Sequence, residues 1–394
     1  MLSFVLPVIL TTSAVVNAAS SPGNYSAGFN SSVTVPSTGG GASCITGSVQ
    51  VAVTSNNIQL SYTGPANQLA ATETIQEMLQ ANPKSILGGV NPITGTYSIY
   101  SKLCLPSNPT AAKNVQTVQF LTHGDTLDST YWDIAPGYSY VDAAAQAGYA
   151  TFSYDRIGAG QSQHPDPVQV VQGPLQVEIA HFLVSQLRGG RFGGYSFKNF
   201  IGVGHSAGST VTQGQTSKYP KDFDAIILTG TSTVITYVAP TLASFNFIIA
   251  NTDVSGKFKG IANGYLTQAN QEGIQFSFFR YPNFDPKILA NRVAAKQTNC
   301  IGELFTLGTI VSPSTQFTGP VDVVIGQNDY VFCGGDCTYP SDQSAAVVPA
   351  FYPAASKGSQ HYLVPGSGHF INAHYSASQA FSQMTAFLKT NGFS

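Results

Sequence analysis

The sequence predicts an α/β fold: a mostly parallel central sheet with helices on both faces and a helical, aromatic-rich insertion. Three observations lead there. From residue 117 onward, apolar runs of strand length alternate with helical stripes, the rhythm of parallel strands joined by crossover helices. Between 231 and 319 that rhythm stops, and the chain becomes rich in Phe and Tyr before a further strand-like run resumes it. Finally, 43% of the 394 residues are hydrophobic, enough for a large core.

The elements follow in order. Residues 19–43 are rich in Ser, Gly, Thr and Asn and read as a flexible leader. Short β-like runs at 47–54 and 57–63, a helical segment near 66–81 and a β run at 97–105 come next. VQFLTHG, from Val118, reads as a buried strand ending in a loop. A helix at 139–148 and a strand at 149–155 follow. Leu175, Ile179, Leu183 and Leu187 repeat every four residues, one stripe of a helix over 174–188. Strands are expected at 200–206, 225–230, 321–326 and 361–365, with helices at 206–218 and 371–390. The insertion of 231–319 lies between two of these core strands. The core is therefore 44–230 together with 320–394, one unit carrying an insertion rather than domains in series.

Charge narrows the possible partners. Only 9% of residues are charged, and the net charge is −2, so there is no basic field for nucleic acid. No apolar run reaches the ~18–20 residues of a membrane-spanning helix. The first 18 residues combine a short apolar stretch with a small-residue cleavage pattern ending at Ala18, and read as a signal peptide. They lack the usual basic residue before the apolar stretch. A secreted, extracellular protein is expected, with glycosylation sequons at Asn24 and Asn30.

Five cysteines in an oxidising compartment suggest two bridges and one odd thiol. Cys333 and Cys337 are close enough to pair. Cys44 with Cys104 would then tie the N-terminal segment to a core strand and leave Cys300 over. Spacing alone leaves other pairings open. It also lacks a second CxxC-type pair, so no zinc site is expected.

The chemistry centres on Gly204-His205-Ser206-Ala207-Gly208. A GxSxG pentapeptide is a weak signal alone, but this one lies between a strand and a helix, the context of a nucleophile elbow. Gly202, Gly204 and Ala207 also match a dinucleotide-binding fingerprint. That reading needs an acid at the end of the next strand, and here Asp222 and Asp224 precede it. A serine needs a base, and the base an orienting acid. Asp329 follows one strand and His369 another, in loops where such sheets place their chemistry. Asp322 and Asp336 are rivals for the acid, and His374 for the base. An oxyanion needs N–H donors. Ala207 supplies one, and the loop with Gly124 and Asp125 another; the Asp125 carboxylate must then turn away or be engaged by another group. Tyr131 and Trp132 follow that loop and are expected at the border of a substrate pocket. His205 is expected beneath the serine, and His181 in a structural role.

Taken together, LTHG from Leu121, DRIGAGQS from Asp155, GHSAG from Gly204, PVDVVIGQND from Pro320 and GSGHF from Gly366 resemble the α/β-hydrolase superfamily with a cap, most nearly its secreted fungal cap-bearing members. The likeness covers about 95–235 and 316–394. It implies a Ser-His-Asp hydrolase, with the order Ser206, Asp329, His369 matching the family's. The glycines of the Asp155 motif are structural in that family, and no chemistry is assigned to the motif.

The expected activity is hydrolysis of a carboxylic ester through an acyl-enzyme, without cofactor or metal, on a small-molecule substrate. Two alternatives stand beside it. Amide or peptide hydrolysis by the same triad would need carboxylates to hold a free amine, for which Glu272, Asp285 and Glu303 in the insertion are available. A catalytically silent binding protein on the same fold is the other, although such a module would have no need of all three groups.

Overall fold

The computed structural model of the protein describes residues 26–80 and 86–394. The proposed signal peptide and the Asn24 sequon lie outside them. In chain order the strands and helices are β1 (Asn30–Pro36), β2 (Ala42–Leu60), α1 (Gln68–Met78), β3 (Leu87–Pro106), α2 (Pro109–Asn114), β4 (Thr117–Thr122), α3 (Tyr140–Gln146), β5 (Ala150–Tyr154), α4 (Gly173–Arg188), β6 (Asn199–His205), α5 (Ala207–Lys218) and β7 (Ala225–Thr229). The inserted segment then supplies α6 (Val238–Ser244), β8 (Ile248–Ile249), β9 (Tyr265–Thr267), α7 (Gln271–Phe278), α8 (Pro286–Ala295), β10 (Asn299–Cys300) and α9 (Ile301–Thr306). The chain returns to the sheet with β11 (Val321–Gly326), α10 (Tyr330–Cys333), α11 (Val347–Phe351), β12 (Gln360–Val364) and α12 (Ala377–Thr390).

Nine strands form the main sheet in the order β1-β2-β3-β5-β4-β6-β7-β11-β12. From β5 to β12 every neighbour is parallel, whereas β1, β2 and β3 are joined antiparallel at one edge. β4, β5, β7 and β11 are buried along their whole length, as strands covered on both faces must be. A separate three-stranded sheet, β10-β9-β8, belongs to the insertion. Phe245, Phe278 and Phe284 of the insertion share one apolar cluster with Tyr131, Trp132 and Phe370 of the core. The insertion is thus seated on the sheet's loops by burial of large aromatic surfaces.

Three sequence expectations change. The leader is ordered from β1, whose Val35 pairs with Cys44. Its Ser- and Gly-rich composition suggests mobility, but the backbone N–H groups of Gly39 and Gly41 donate to buried Asp142, and that of Thr38 to Asp133. The runs at 47–54 and 57–63 are one strand, β2. Its polar Ser55-Asn56-Asn57 looks like a turn, yet Asn57 is buried and donates to the carbonyls of Gln169 and Val170. The closing helix starts at Ala377, after a 3-10 turn over Ile371–Ala373.

Both expected bridges are present: Cys44–Cys104 across the paired strands β2 and β3, and Cys333–Cys337 just after β11. Cys300 is a buried free thiol.

Candidate active site

Ser206 stands between β6 and α5 at φ 54° and ψ −123°. A non-glycine residue adopts this backbone only when its surroundings impose it. Here the Ser206 N–H donates to the Thr229 carbonyl of β7 at 2.9 Å. On the other side α5 is drawn against the end of β4. A Cβ on Gly208 would lie 2.1 Å from the Thr122 carbonyl oxygen, so only glycine permits this approach. The serine is left half-buried at the head of α5. There the first backbone N–H groups, beginning with Ala207, have no intrahelical acceptor.

His369 follows β12. Its Nδ1–H donates to Asp329 Oδ2 at 2.7 Å, with both side chains essentially without exposure. Among the described residues the imidazole Nε2 has no hydrogen-bond partner. It is therefore available as an acceptor, with the tautomer set by Asp329. Asp329 caps α10, its Oδ1 accepting from the Phe332 N–H at 3.1 Å. The loops carrying Asp329 and His369 press together: a Cβ on Gly326 would lie 2.1 Å from the Gly368 carbonyl oxygen. The Asn328 N–H also donates to the Ser367 carbonyl at 2.8 Å.

The rivals fall elsewhere. Asp322 is buried within β11, where burial pushes its carboxyl up to about 7. Asp336 is exposed and accepts from the Thr338 N–H and hydroxyl. His374 is already engaged, with Nδ1–H donating to the Phe370 carbonyl and Nε2 accepting from the N–H groups of Gly368 and Arg280. Burial lowers its pKa to about 4. It pins the His369 loop to the end of α7. His205 is fully buried and stacks on Tyr131, with ring centroids 4.2 Å apart. Burial, with the nearby His369 and His123, keeps it well below the ordinary imidazole value. His181 on α4 pairs with Asp222 in the turn between α5 and β7.

Ser206, Ala207, Asp125 and His369 open onto one cavity of about 420 Å³. The rest of its wall is mostly apolar. The insertion contributes Leu242, Phe245 and Phe278, and the end of α1 contributes Met78 and Leu79. This size and lining suit a small ligand.

Tyr131 and Trp132 correct an expectation. Neither lines the cavity; both are buried at 0% exposure. Asp128 accepts from the Thr130 N–H and starts a 3-10 turn over Ser129–Trp132, which sends both rings into the core. Asp125 is engaged by another group, as its position required: Arg156 Nη2 lies 2.8 Å from its carboxylate.

A sequence model described as "Alpha/beta hydrolase family" matches residues 120–383. The chain belongs to the alpha/beta hydrolase family. Comparison with curated proteins finds no match. Among solved structures, this hydrolase-family chain is similar to a thermophilic esterase from Thermogutta terrifontis, at 14% identity and TM-score 0.53, over 75% of this chain and 94% of that one. It is also similar to an alpha/beta hydrolase fold protein from Chitinophaga pinensis, at 15% identity and TM-score 0.51, over 75% and 94%. A 2-hydroxy-6-oxo-6-phenylhexa-2,4-dienoate hydrolase from Rhodococcus sp. strain RHA1 matches at 17% identity and TM-score 0.50, over 75% and 96%. At identities this low, the structural likeness shows the shared fold alone.

Sequence reading missed Arg156, which lies in the Asp155 motif to which no chemistry was assigned. Asp125 was the available signal: a carboxylate beside an expected oxyanion donor needs a counter-charge.

Proposed function

We propose that the protein is a secreted carboxylic-ester hydrolase acting through Ser206, His369 and Asp329. One observation carries the reading: a strained serine at a strand end shares a cavity with a histidine whose Nε2 is free and whose Nδ1–H is held by a buried aspartate. Ser206 Oγ attacks the acyl carbonyl as His369 Nε2 takes its proton. The oxyanion that forms meets the N–H groups of Ala207 and of the Gly124–Asp125 loop. His369 then protonates the departing alkoxide, and water, activated by the same imidazole, releases the acid. Asp329 holds the imidazole's orientation and stabilises its cation.

The apolar wall supports an ester with an apolar acyl or alcohol group. The carboxylates considered for binding a free amine do not line the cavity. Glu303 pairs with Arg156, Asp285 caps α8, and Glu272 is exposed. Two disulfides fit an oxidising compartment, and the Asn30 sequon is exposed. The test is a fluorophosphonate probe followed by a panel of acyl esters against aminoacyl amides. Labelling with turnover of esters is expected. Turnover of amides alone would overturn the ester assignment, and absence of labelling and turnover would favour a silent binding protein.

A further inference from the structure

Arg156 is 3% exposed in a chain with few charges, and does not line the cavity. Its backbone and side chain are both committed. The backbone N–H donates to His123 Nε2 at 2.8 Å. One guanidinium nitrogen, Nη2, reaches Asp125 Oδ1 at 2.8 Å and the Gly124 carbonyl at 3.2 Å. The other, Nη1, pairs with Glu303 Oε1 of α9. His123 Nδ1–H donates to the same Gly124 carbonyl at 2.8 Å. This requires His123 neutral, since its Nε2 must accept from Arg156. Burial and the Arg156 charge hold its pKa well down.

Two donors thus grip the Gly124 carbonyl oxygen. In a trans peptide the following N–H, that of Asp125, points to the opposite side. That is the side away from His123 and Arg156. Gly124 itself abuts the nucleophile: a Cβ there would lie 3.0 Å from Ser206 Cβ.

We propose that Arg156 is a positioning residue that sets the Gly124–Asp125 peptide as an oxyanion donor and, through Glu303, makes that setting depend on a seated insertion. The inference rests on the ester-hydrolase reading. Arg156 and Glu303 act through the peptide rather than on substrate, because neither side chain forms part of the cavity wall. Asp125 shares the wall with Ser206 and His369. Its carboxylate, locked by Arg156, keeps its negative charge matched beside the site of the developing oxyanion.

The experiment compares the full chain with Arg156→Lys and Glu303→Gln on a p-nitrophenyl ester, together with inhibition by an arylboronic acid that forms a tetrahedral adduct on the serine. Lysine keeps the charge but cannot span three partners with a planar fork. The expected result for Arg156→Lys is a kcat lower by about 10–100-fold, since small misplacements of donors are expensive. KM should stay within about threefold, and boronate affinity should fall in parallel with kcat. Glu303→Gln should lower kcat by about 3–10-fold with the same signature. A merely structural role would lower the melting temperature without coupling boronate affinity to kcat.

A folded Arg156→Lys with kcat within about twofold of the parent would overturn the proposal. So would a loss confined to KM. If Arg156→Lys does not fold, Glu303→Gln decides: it leaves the Arg156–Asp125 pair in place, and an unchanged kcat would refute the coupling to the insertion. A parent chain that neither takes a fluorophosphonate nor turns over ester would instead sink the hydrolase reading itself, and is recognised before any variant is compared.

Discussion

The loops at the ends of β4, β6, β11 and β12 differ in kind from the wall that α1 and the insertion raise over them. The loops are held by directional contacts: a buried acid–imidazole pair, a backbone gripped by His123 and Arg156, and glycines where two loops nearly touch. The wall's face toward the cavity is apolar, made by Met78, Leu242, Phe245 and Phe278, while hydrogen bonds such as those of Gln68 with Phe247 and Ile249 join α1 to the insertion away from it. Directional contacts need particular residues at particular spacings, so they leave short motifs in a sequence. Apolar contacts need only volume, so they leave composition. On the proposed function, the first region sets which reaction occurs, and the second which molecule enters.

The contrast predicts effects on rate from the first region and on preference from the second. Ser206→Ala gives the largest expected effect. It should leave the fold unchanged by circular dichroism and remove fluorophosphonate labelling, with kcat lower by about 10⁶ if the triad behaves as in serine proteases. Labelling of the variant would place the nucleophile elsewhere. Asp329→Asn keeps the shape but offers the imidazole the wrong partner, for an expected loss of about 10⁴ in kcat. Asp336→Asn is its control: the carboxylate is exposed and bonded only locally, so activity should stay within about twofold of the parent. If the two variants exchange these phenotypes, the acid is misassigned.

On the other side, Leu242→Trp and Met78→Trp shrink the cavity from opposite contributors. Each should shift the ratio of kcat/KM for a long over a short acyl ester by about tenfold or more, because apolar pockets discriminate by volume. An unchanged ratio in both would mean that the ester chain lies elsewhere.

The same contrast explains what was legible in the sequence. The parallel strands and their crossover helices stand where spacing puts them, and Ser206, Asp329 and His369 of the proposed triad lie in loops at strand ends, because alternation and GxSxG-type turns are local signals. The opening ribbon was misread because Asn57 and Asp142 find their partners far along the chain, and composition cannot show that. The family match begins only at residue 120, so this ribbon and the Met78–Leu79 wall lie outside it. Tyr131 and Trp132 were assigned to the pocket from proximity to the loop, but a single capped turn reverses their direction. Arg156 was overlooked because its two carboxylates are 31 and 147 residues away.

The Cys333–Cys337 ring tests how far the first region's rigidity extends. It encloses about five residues, for which chain entropy gives only about 2 kcal/mol, a few degrees of melting temperature at most in a chain this long. Its leverage is local. Cys337 N–H donates to the Gln327 carbonyl at 2.9 Å, Gly335 N–H to the Asp329 carbonyl at 3.0 Å, and Asn328 Nδ2 to the Gly335 carbonyl at 3.0 Å. The ring therefore backs the segment from Gln327 to Asp329, whose side chain holds the His369 imidazole. Replacing both cysteines by serine should loosen these three contacts and lower kcat by about 3–10-fold through a less well oriented imidazole. KM should change little, because neither cysteine lines the cavity. Kinetics and thermal melts of the double variant, beside the parent under the same non-reducing conditions, measure both effects. A melting temperature that falls while kcat holds would show that the acid loop stands without the ring, and that its orientation comes from the packing of Gly326 against Gly368 instead.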